Sequence, residues 1–471
     1  MLSAAIVIAL AWGALAFGAV YVWAFTPLAL GCASIGVAGL VTTRHLRLTT
    51  TRVAAGLIAI AVAISLQLVP VPSSVLRVIS PGTHRFLTMY DLRYAYQSVD
   101  AAPNAIAMPL TGHALSIDPH GTVVGLLLFI SLALFLLGAT RIFSAEGPSR
   151  VVLGILGLGL LLPVLAVVQI ALNVDRELPL VYGVWKPRGI SNPFGPFINP
   201  NHYAGWMLMA LPVVIGLGYG SVERDRLEAQ SENGFNTMRA FASGGVPLLA
   251  AFTALVMAAS ALMTKSRSGM IGLVAIALLF TIVVARRQRS WRGKAGIVSI
   301  VTALLFIAIA WAGLDSVVER FRQVGSNPQG RVSAWVDTVQ IIRNHPWVGT
   351  GFNTYRTAMV LYQTSSHRVS FQEAHNDYLQ LASEGGLLVG LPVAFTIFMF
   401  VGEVRHRFRE APKAGTTYWL RVGAAIGMVA IALQSLVEFS LQMPGNAMLF
   451  ALLAALALHR SPRLSAARHY R

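Results

Sequence analysis

Twelve runs of apolar residues recur along this chain, and they constrain its fold more than any motif does. They lie at Ala4 to Trp23, Thr26 to Thr42, Val53 to Val69, Thr122 to Gly138, Val151 to Leu172 and His202 to Gly220. They continue at Val246 to Leu262, Met270 to Ala285, Ile297 to Leu314, Leu387 to Val404, Trp419 to Gln434 and Asn446 to His459. A helix rises about 1.5 Å per residue, so about twenty apolar residues cross a hydrocarbon layer. The shortest runs must borrow flanking residues to do so. Of the 471 residues 55% are hydrophobic and only 12% are charged, about half the charged share of a soluble globular domain. The expected fold class is therefore an all-α polytopic membrane protein with about 12 transmembrane helices. Residues 1–471 are read as a single integral membrane domain. The first run has no basic residue before it and is too long for a signal h-region, so it reads as a retained span. The single cysteine, Cys32, excludes a disulfide framework and a cysteine-held zinc site.

The formal net charge of +17 resembles that of a nucleic-acid binder, but the basic residues sit in connections between runs. Arg44, Arg47 and Arg52 follow the second run, Arg286 to Lys294 the eighth, and Arg405 to Lys413 the tenth; Arg460 to Arg471 end the chain. If twelve spans alternate, all four clusters share one side, which the positive-inside rule makes cytoplasmic. The long connections then face the other side, as loops 70–121, 173–201 and 315–386. The last is a large periplasmic loop, expected to contain helices between spans nine and ten. In the first, a short interfacial helix is expected near Ser73 to Ile79.

The outer side carries the chemistry-bearing residues. Phe371 to Gly386 (FQEAHNDYLQLASEGG) places His375, Asn376 and Glu384 directly before a span, where ionisable groups mark functional sites. Read as a helix, this stretch separates His375 from Glu384 by half a rotation, so they are partners only if the helix breaks. The same reading spreads Glu373, His375 and Asp377 over about 200 degrees, which favours no metal; a strand would put all three on one face. Lys186 and Arg188 are cations on the outer side, and Asn201 opens the sixth run, where it can cap a helix. Arg267 and Arg331 each stand at the expected start of a helix. There the dipole favours an acid, so a cation suggests an anion held nearby. Snorkelling at the interface is the alternative. Arginines at helix starts suit a diphosphate, and a histidine suits proton abstraction near neutral pH. No Walker loop occurs. A diphosphate at the outer leaflet points to a lipid-linked donor whose leaving group is displaced by an acceptor hydroxyl.

Four blocks then stand in order: GISNPFGPFINPNHYAGWM, KSRSG, GRVSAWVDTVQIIRNHPWVGTGF and AHNDYLQLASEGGLLVGLP. Together they resemble the O-antigen ligase and O-antigen polymerase superfamily from about Lys186 to Pro392. The first half resembles it only in span layout and in the segment Ala114 to Pro119. The resemblance implies an inverting, metal-independent glycosyltransferase of the bacterial inner membrane, with its active site facing the periplasm. Its donor would be an undecaprenyl-diphosphate-linked oligosaccharide, and it would need no cofactor. His375 matches the family's essential histidine, with Arg267 and Arg331 on the diphosphate and Arg188 in a matching block. Asn201, Asn376, Glu384 and Lys186 are expected to support the site. The acceptor is a growing glycan if the enzyme polymerises O-antigen or exopolysaccharide repeat units, which is the reading chosen here. It is lipid A-core if the enzyme is a ligase, and protein in related transferases. A transporter of lipid-linked sugars is the reading from a different class. It expects ionisable residues strung through several spans, whereas Arg421 and Glu438 stand near span ends.

Overall fold

The computed structural model describes residues 1–43, 50–98, 112–173, 179–187, 192–231, 245–287, 331–364, 371–410 and 415–460. These residues are mostly helical. In chain order the helices are α1 (Leu2–Leu15), α2 (Val22–Thr42), α3 (Thr51–Leu66), α4 (Ser73–Ile79), α5 (Pro81–Tyr90), α6 (Leu92–Ser98), α7 (Pro119–Glu146) and α8 (Ser149–Leu172). They continue as α9 (Pro200–Ser231), α10 (Gly245–Met263), α11 (Arg267–Ala285), α12 (Arg331–Asn344), α13 (Tyr355–Tyr362), α14 (Asp377–Glu410), α15 (Thr416–Gln434) and α16 (Pro444–Leu458). Two short strands, β1 (Pro70–Val71) and β2 (His113–Ala114), pair antiparallel.

The protein is an all-α polytopic membrane protein. Eight described helices, α2, α7, α8, α9, α10, α11, α14 and α15, are long and apolar enough to cross a membrane; α1, α3 and α16 are shorter apolar helices. Each of these eleven coincides with an expected run. The remaining run, the ninth, Ile297 to Leu314, lies outside the described residues. The first run is not one continuous span. α1 stops at Leu15, and a tight 3-10 turn at Phe17–Ala19 precedes α2. Phe17, Gly18 and Ala19 all have positive φ there, so the helix cannot continue through them.

The bundle core is built on α9, which packs most extensively against α15. A Cβ at Gly423 would fall 2.3 Å from the Pro212 carbonyl oxygen, and one at Gly138 2.3 Å from the Gly36 oxygen. Both helix pairs, α9 with α15 and α2 with α7, therefore depend on backbones in direct contact, as helices buried in lipid commonly do.

A second, smaller core lies on the side of the long connections. Leu76, Phe86, Leu87 and Tyr94 from α4–α6 pack with Ile341, Tyr355, Ala358 and Met359 from α12 and α13. α4–α6 and α12–α13 thus form one cap rather than two independent loops. α4 has the bounds expected from the sequence. The block His345 to Phe352 seats this cap on α14. Thr350 N donates to the Ser383 carbonyl and Gly351 N to that of Glu384, each at 3.0 Å. Gly349 (φ +67) lies so close that a Cβ would meet the Glu384 oxygen at 2.1 Å, so only glycine fits.

Candidate functional site

The helix expected to run through His375 begins only at Asp377. Asn376 sets that start: its Oδ1 accepts the backbone N–H groups of Tyr378 and Leu379, both at 3.0 Å. Free N–H groups at a helix start take such an acceptor readily. His375 therefore stands in a loop, with φ +51, a conformation that is costly for a residue with a Cβ and is held only by its surroundings. Those surroundings are specific. Trp335 Nε1 of α12 donates to the Ala374 carbonyl at 3.0 Å. Asp377 N donates to the Ser435 carbonyl at 3.0 Å, and Asn376 Nδ2 to that of Leu436 at 2.8 Å. The loop is thus pinned between α12 and the end of α15.

The side chain that gathers the site is one the sequence reading did not assign to it. Glu438 lies in the short connection between α15 and α16, and its side chain is 1% exposed. Its Oε1 accepts from Arg331 Nη2 and, at 2.7 Å, from Asn201 Nδ2. Its Oε2 faces His375 Nδ1 at 3.9 Å, ion-pair range rather than a hydrogen bond. The next residue, Phe439, stands edge-to-face between two imidazoles, at 4.7 Å from His375 and 4.6 Å from His202. Three groups far apart in sequence, Asn201, His375 and Glu438, thereby meet at the start of α12.

The start of α11 joins the same network. Ser266 caps it by accepting from Gly269 N at 3.1 Å. Ser268 Oγ accepts from Gln434 Nε2 at 3.3 Å, and that amide also donates to the Asn201 carbonyl at 3.0 Å. Arg267 is the first residue of α11, as expected. Asn201 does not cap α9; Asn199 Oδ1 accepts the Asn201 N–H at 2.8 Å, and the Asn201 side chain is left to reach Glu438.

Other expected members sit elsewhere. Glu384 is buried away from His375, where its carboxylate accepts Asn353 N at 2.9 Å and Tyr355 N at 3.0 Å. It anchors the start of α13, and α14 breaks beyond it, at Gly386 (φ +53, ψ −155). Asn376 is a helix cap beside the site. Lys186 is exposed and follows the Val181–Trp185 bridge. That bridge packs through Tyr182 and Trp185 on the aromatic group of Phe17, Tyr21 and Trp23. Arg188 lies outside the described residues. The helical reading of Glu373, His375 and Asp377 is replaced by three diverging side chains. Glu373 accepts from Gln380 Nε2, His375 faces Glu438, and Asp377 accepts from Ser435 Oγ at 2.7 Å. Among the described residues no three His, Cys, Asp or Glu side chains form a metal-binding set. Burial, the main cause, pushes the Glu373 carboxyl up to about 8, so near neutral pH it keeps its proton.

Arg331 is 42% exposed and His375 28% exposed, while Glu438 beneath them is sealed. The surface so formed offers a forked cation beside an imidazole, over a buried carboxylate. It can hold an anion and accept a proton next to it.

Residues 252–394 match the model of a family described as O-antigen ligase. That match supports a likeness to the O-antigen ligase and polymerase superfamily over this segment, which holds Arg267, Arg331, His375, Asn376 and Glu384. Asn201 and Glu438 lie outside it. A search of curated proteins found no match.

Proposed function

We propose that the protein is an inverting, metal-independent glycosyltransferase. It moves a glycan from undecaprenyl diphosphate to a sugar hydroxyl at the periplasmic face of the bacterial inner membrane. The observation that carries this reading is the convergence of Arg331 and His375 at one buried carboxylate, with the start of α11 and its Arg267 linked to it through Ser268, Gln434 and Asn201. Arg331, whose side chain is 42% exposed, can grip phosphate oxygens with nitrogens that Glu438 does not take, offsetting charge on the departing diphosphate. His375 takes the acceptor's hydroxyl proton. A single displacement of this kind inverts the anomeric centre. Polymerisation of O-antigen or exopolysaccharide repeat units is the acceptor reading adopted, because the connections at 70–121 and 173–201 give room for a second glycan. Transfer to lipid A-core is the second reading, which the description of the matched family favours.

The test is turnover of His375→Ala and His375→Gln on an undecaprenyl-diphosphate-linked oligosaccharide, with donor binding measured separately. Loss of a general base lowers rate by on the order of a hundred- to ten-thousand-fold. Both variants are expected to lose turnover by that order and to keep donor binding. Full activity of His375→Gln would reduce His375 to a positioning role. Loss of donor binding with normal turnover at saturation would move it to the diphosphate.

A further inference from the structure

We infer that Glu438 is the positioning residue of this site, orienting His375 for proton transfer and carrying the countercharge to the imidazolium that results. The inference rests on the proposed role of His375 and adds a residue from outside the matched family segment.

The geometry assigns the two imidazole nitrogens different environments. Nδ1 is buried, as is Glu438 Oε2, and neither has a hydrogen-bond partner among the described residues. They face each other at 3.9 Å. The His375 side chain is 28% exposed while Nδ1 is buried, so its accessible edge is the one away from Nδ1, which carries Nε2. Phe439, covalently next to Glu438, holds the ring at an 87° interplanar angle. The carboxylate thus favours the tautomer with hydrogen on Nδ1 and leaves the Nε2 lone pair toward the outside. A carboxylate behind an imidazole has two consequences. It fixes the tautomer, and it supplies a countercharge to the imidazolium formed in the step. The gap of 3.9 Å closes by about 1 Å when Nδ1–H becomes a charge-assisted donor, and catalytic hydrogen bonds are commonly long before substrate binds.

The charged and titratable groups around Glu438 are consistent with this role. Arg331 comes from α12, His202 from α9, His375 from its loop and Asp377 from the start of α14. Arg331 and Asn201 share Oε1, which leaves Oε2 to His375. In the step itself, the acceptor's hydroxyl proton moves to Nε2. The acceptor oxygen's electron pair forms the bond to the anomeric carbon. The bond from that carbon to the diphosphate oxygen breaks, and its electrons leave on the lipid diphosphate. His375 then returns its proton to water. During the step positive charge grows on the imidazole, 3.9 Å from Oε2, and only a carboxylate offsets it.

The experiment uses the full chain in lipid vesicles, with an undecaprenyl-diphosphate-linked oligosaccharide as the probe. Turnover is followed from about pH 5 to 9, the range in which an imidazole titrates. Wild type is compared with Glu438→Gln, Glu438→Asp and His375→Gln. Glu438→Gln keeps the shape and a hydrogen-bonding oxygen but loses the charge. Its plateau is expected to fall on the order of ten- to a hundredfold, part of the general-base effect. Its acid limb moves to lower pH, because an imidazole without a carboxylate behind it gives up its proton more readily. Glu438→Asp restores the position of the limb and part of the plateau. A plateau that falls with the limb unmoved, or with only the donor KM raised, overturns the inference and ties Glu438 to Arg331 alone. An unchanged Glu438→Gln profile overturns it too. These results are separable from failure of the underlying reading: a fully active His375→Gln removes the premise. An inactive His375→Gln beside an unmoved Glu438→Gln limb overturns the Glu438 assignment by itself.

Discussion

Glu384→Ala is expected to unseat the cap of α4–α6, α12 and α13 rather than to remove a catalytic group. The wild-type carboxylate is 3% exposed and accepts two backbone donors, Asn353 N at 2.9 Å and Tyr355 N at 3.0 Å. The helix it serves, α13, has no side-chain cap of its own from Thr354. Alanine leaves both donors without a partner. A buried unsatisfied group costs about 1–3 kcal/mol, so the loss amounts to about 2–6 kcal/mol. Glu384→Gln keeps one acceptor oxygen and should lose about half of that, 1–3 kcal/mol. The assay is thermal unfolding of purified protein in detergent, with turnover measured well below the transition. The melting temperature should fall in the order wild type, Gln, Ala, while the position of the acid limb of the turnover profile stays in place. An alanine variant as stable as wild type would refute the capping argument. A moved acid limb would show that Glu384 acts on His375 after all.

Two further outcomes follow from the same geometry. Arg331→Lys and Arg267→Lys should each raise the donor KM by about tenfold or more, since a lysine keeps the charge but loses a forked, charge-assisted bond worth about 1.5–3 kcal/mol; variants that match wild type would make the arginines interface anchors. His345 lies outside the spanning helices, and burial pushes it down to about 4 from an ordinary 6.5. It is neutral in the fold while the unfolded chain takes up a proton, so its contribution is full above about pH 6.5 and is lost as pH falls toward 4. His345→Gln should flatten the stability profile across that window; a slope unchanged from wild type would assign the acid sensitivity to other groups.

The spans were legible because burial in lipid demands long apolar runs, a signal that survives without tertiary information. The breaks were less so. Phe17 to Ala19 is apolar, and only positive φ at three consecutive residues ends the helix there. The loop conformation of His375 had a readable sign: Asn376 before an acidic first turn at Asp377 is a helix-start pattern. Continuing the helix back through Phe371 outweighed it. The Gly385-Gly386 pair likewise marks the break in α14. Asn201 was assigned the capping role that Asn199 fills, because both asparagines stand near the start of α9 and only the fold decides which side chain turns back. Glu438 carried no local signal. It is a single carboxylate in a short connection, and its role comes from α9, α12 and the His375 loop meeting there.

That carboxylate changes what the arginine pattern means. A cation at a helix start opposes the helix dipole, and two such cations near one another call for an anion between them. For Arg331 the chain supplies that anion itself, through Glu438 Oε1. The arginine pattern alone therefore does not require a bound diphosphate. The case for one rests on what Glu438 leaves over. Arg331 carries five N–H donors, one of which is committed to a carboxylate that also serves Asn201 and faces His375. With 42% of its side chain exposed, it can keep that anchor and still present a fork outward. A buried carboxylate that holds the cation's geometry without consuming its donors preorganises it for a second, external anion. It also brings the His375 imidazole alongside. An arginine bound only for structure would have no reason to share its counterion with an imidazole whose other edge is open.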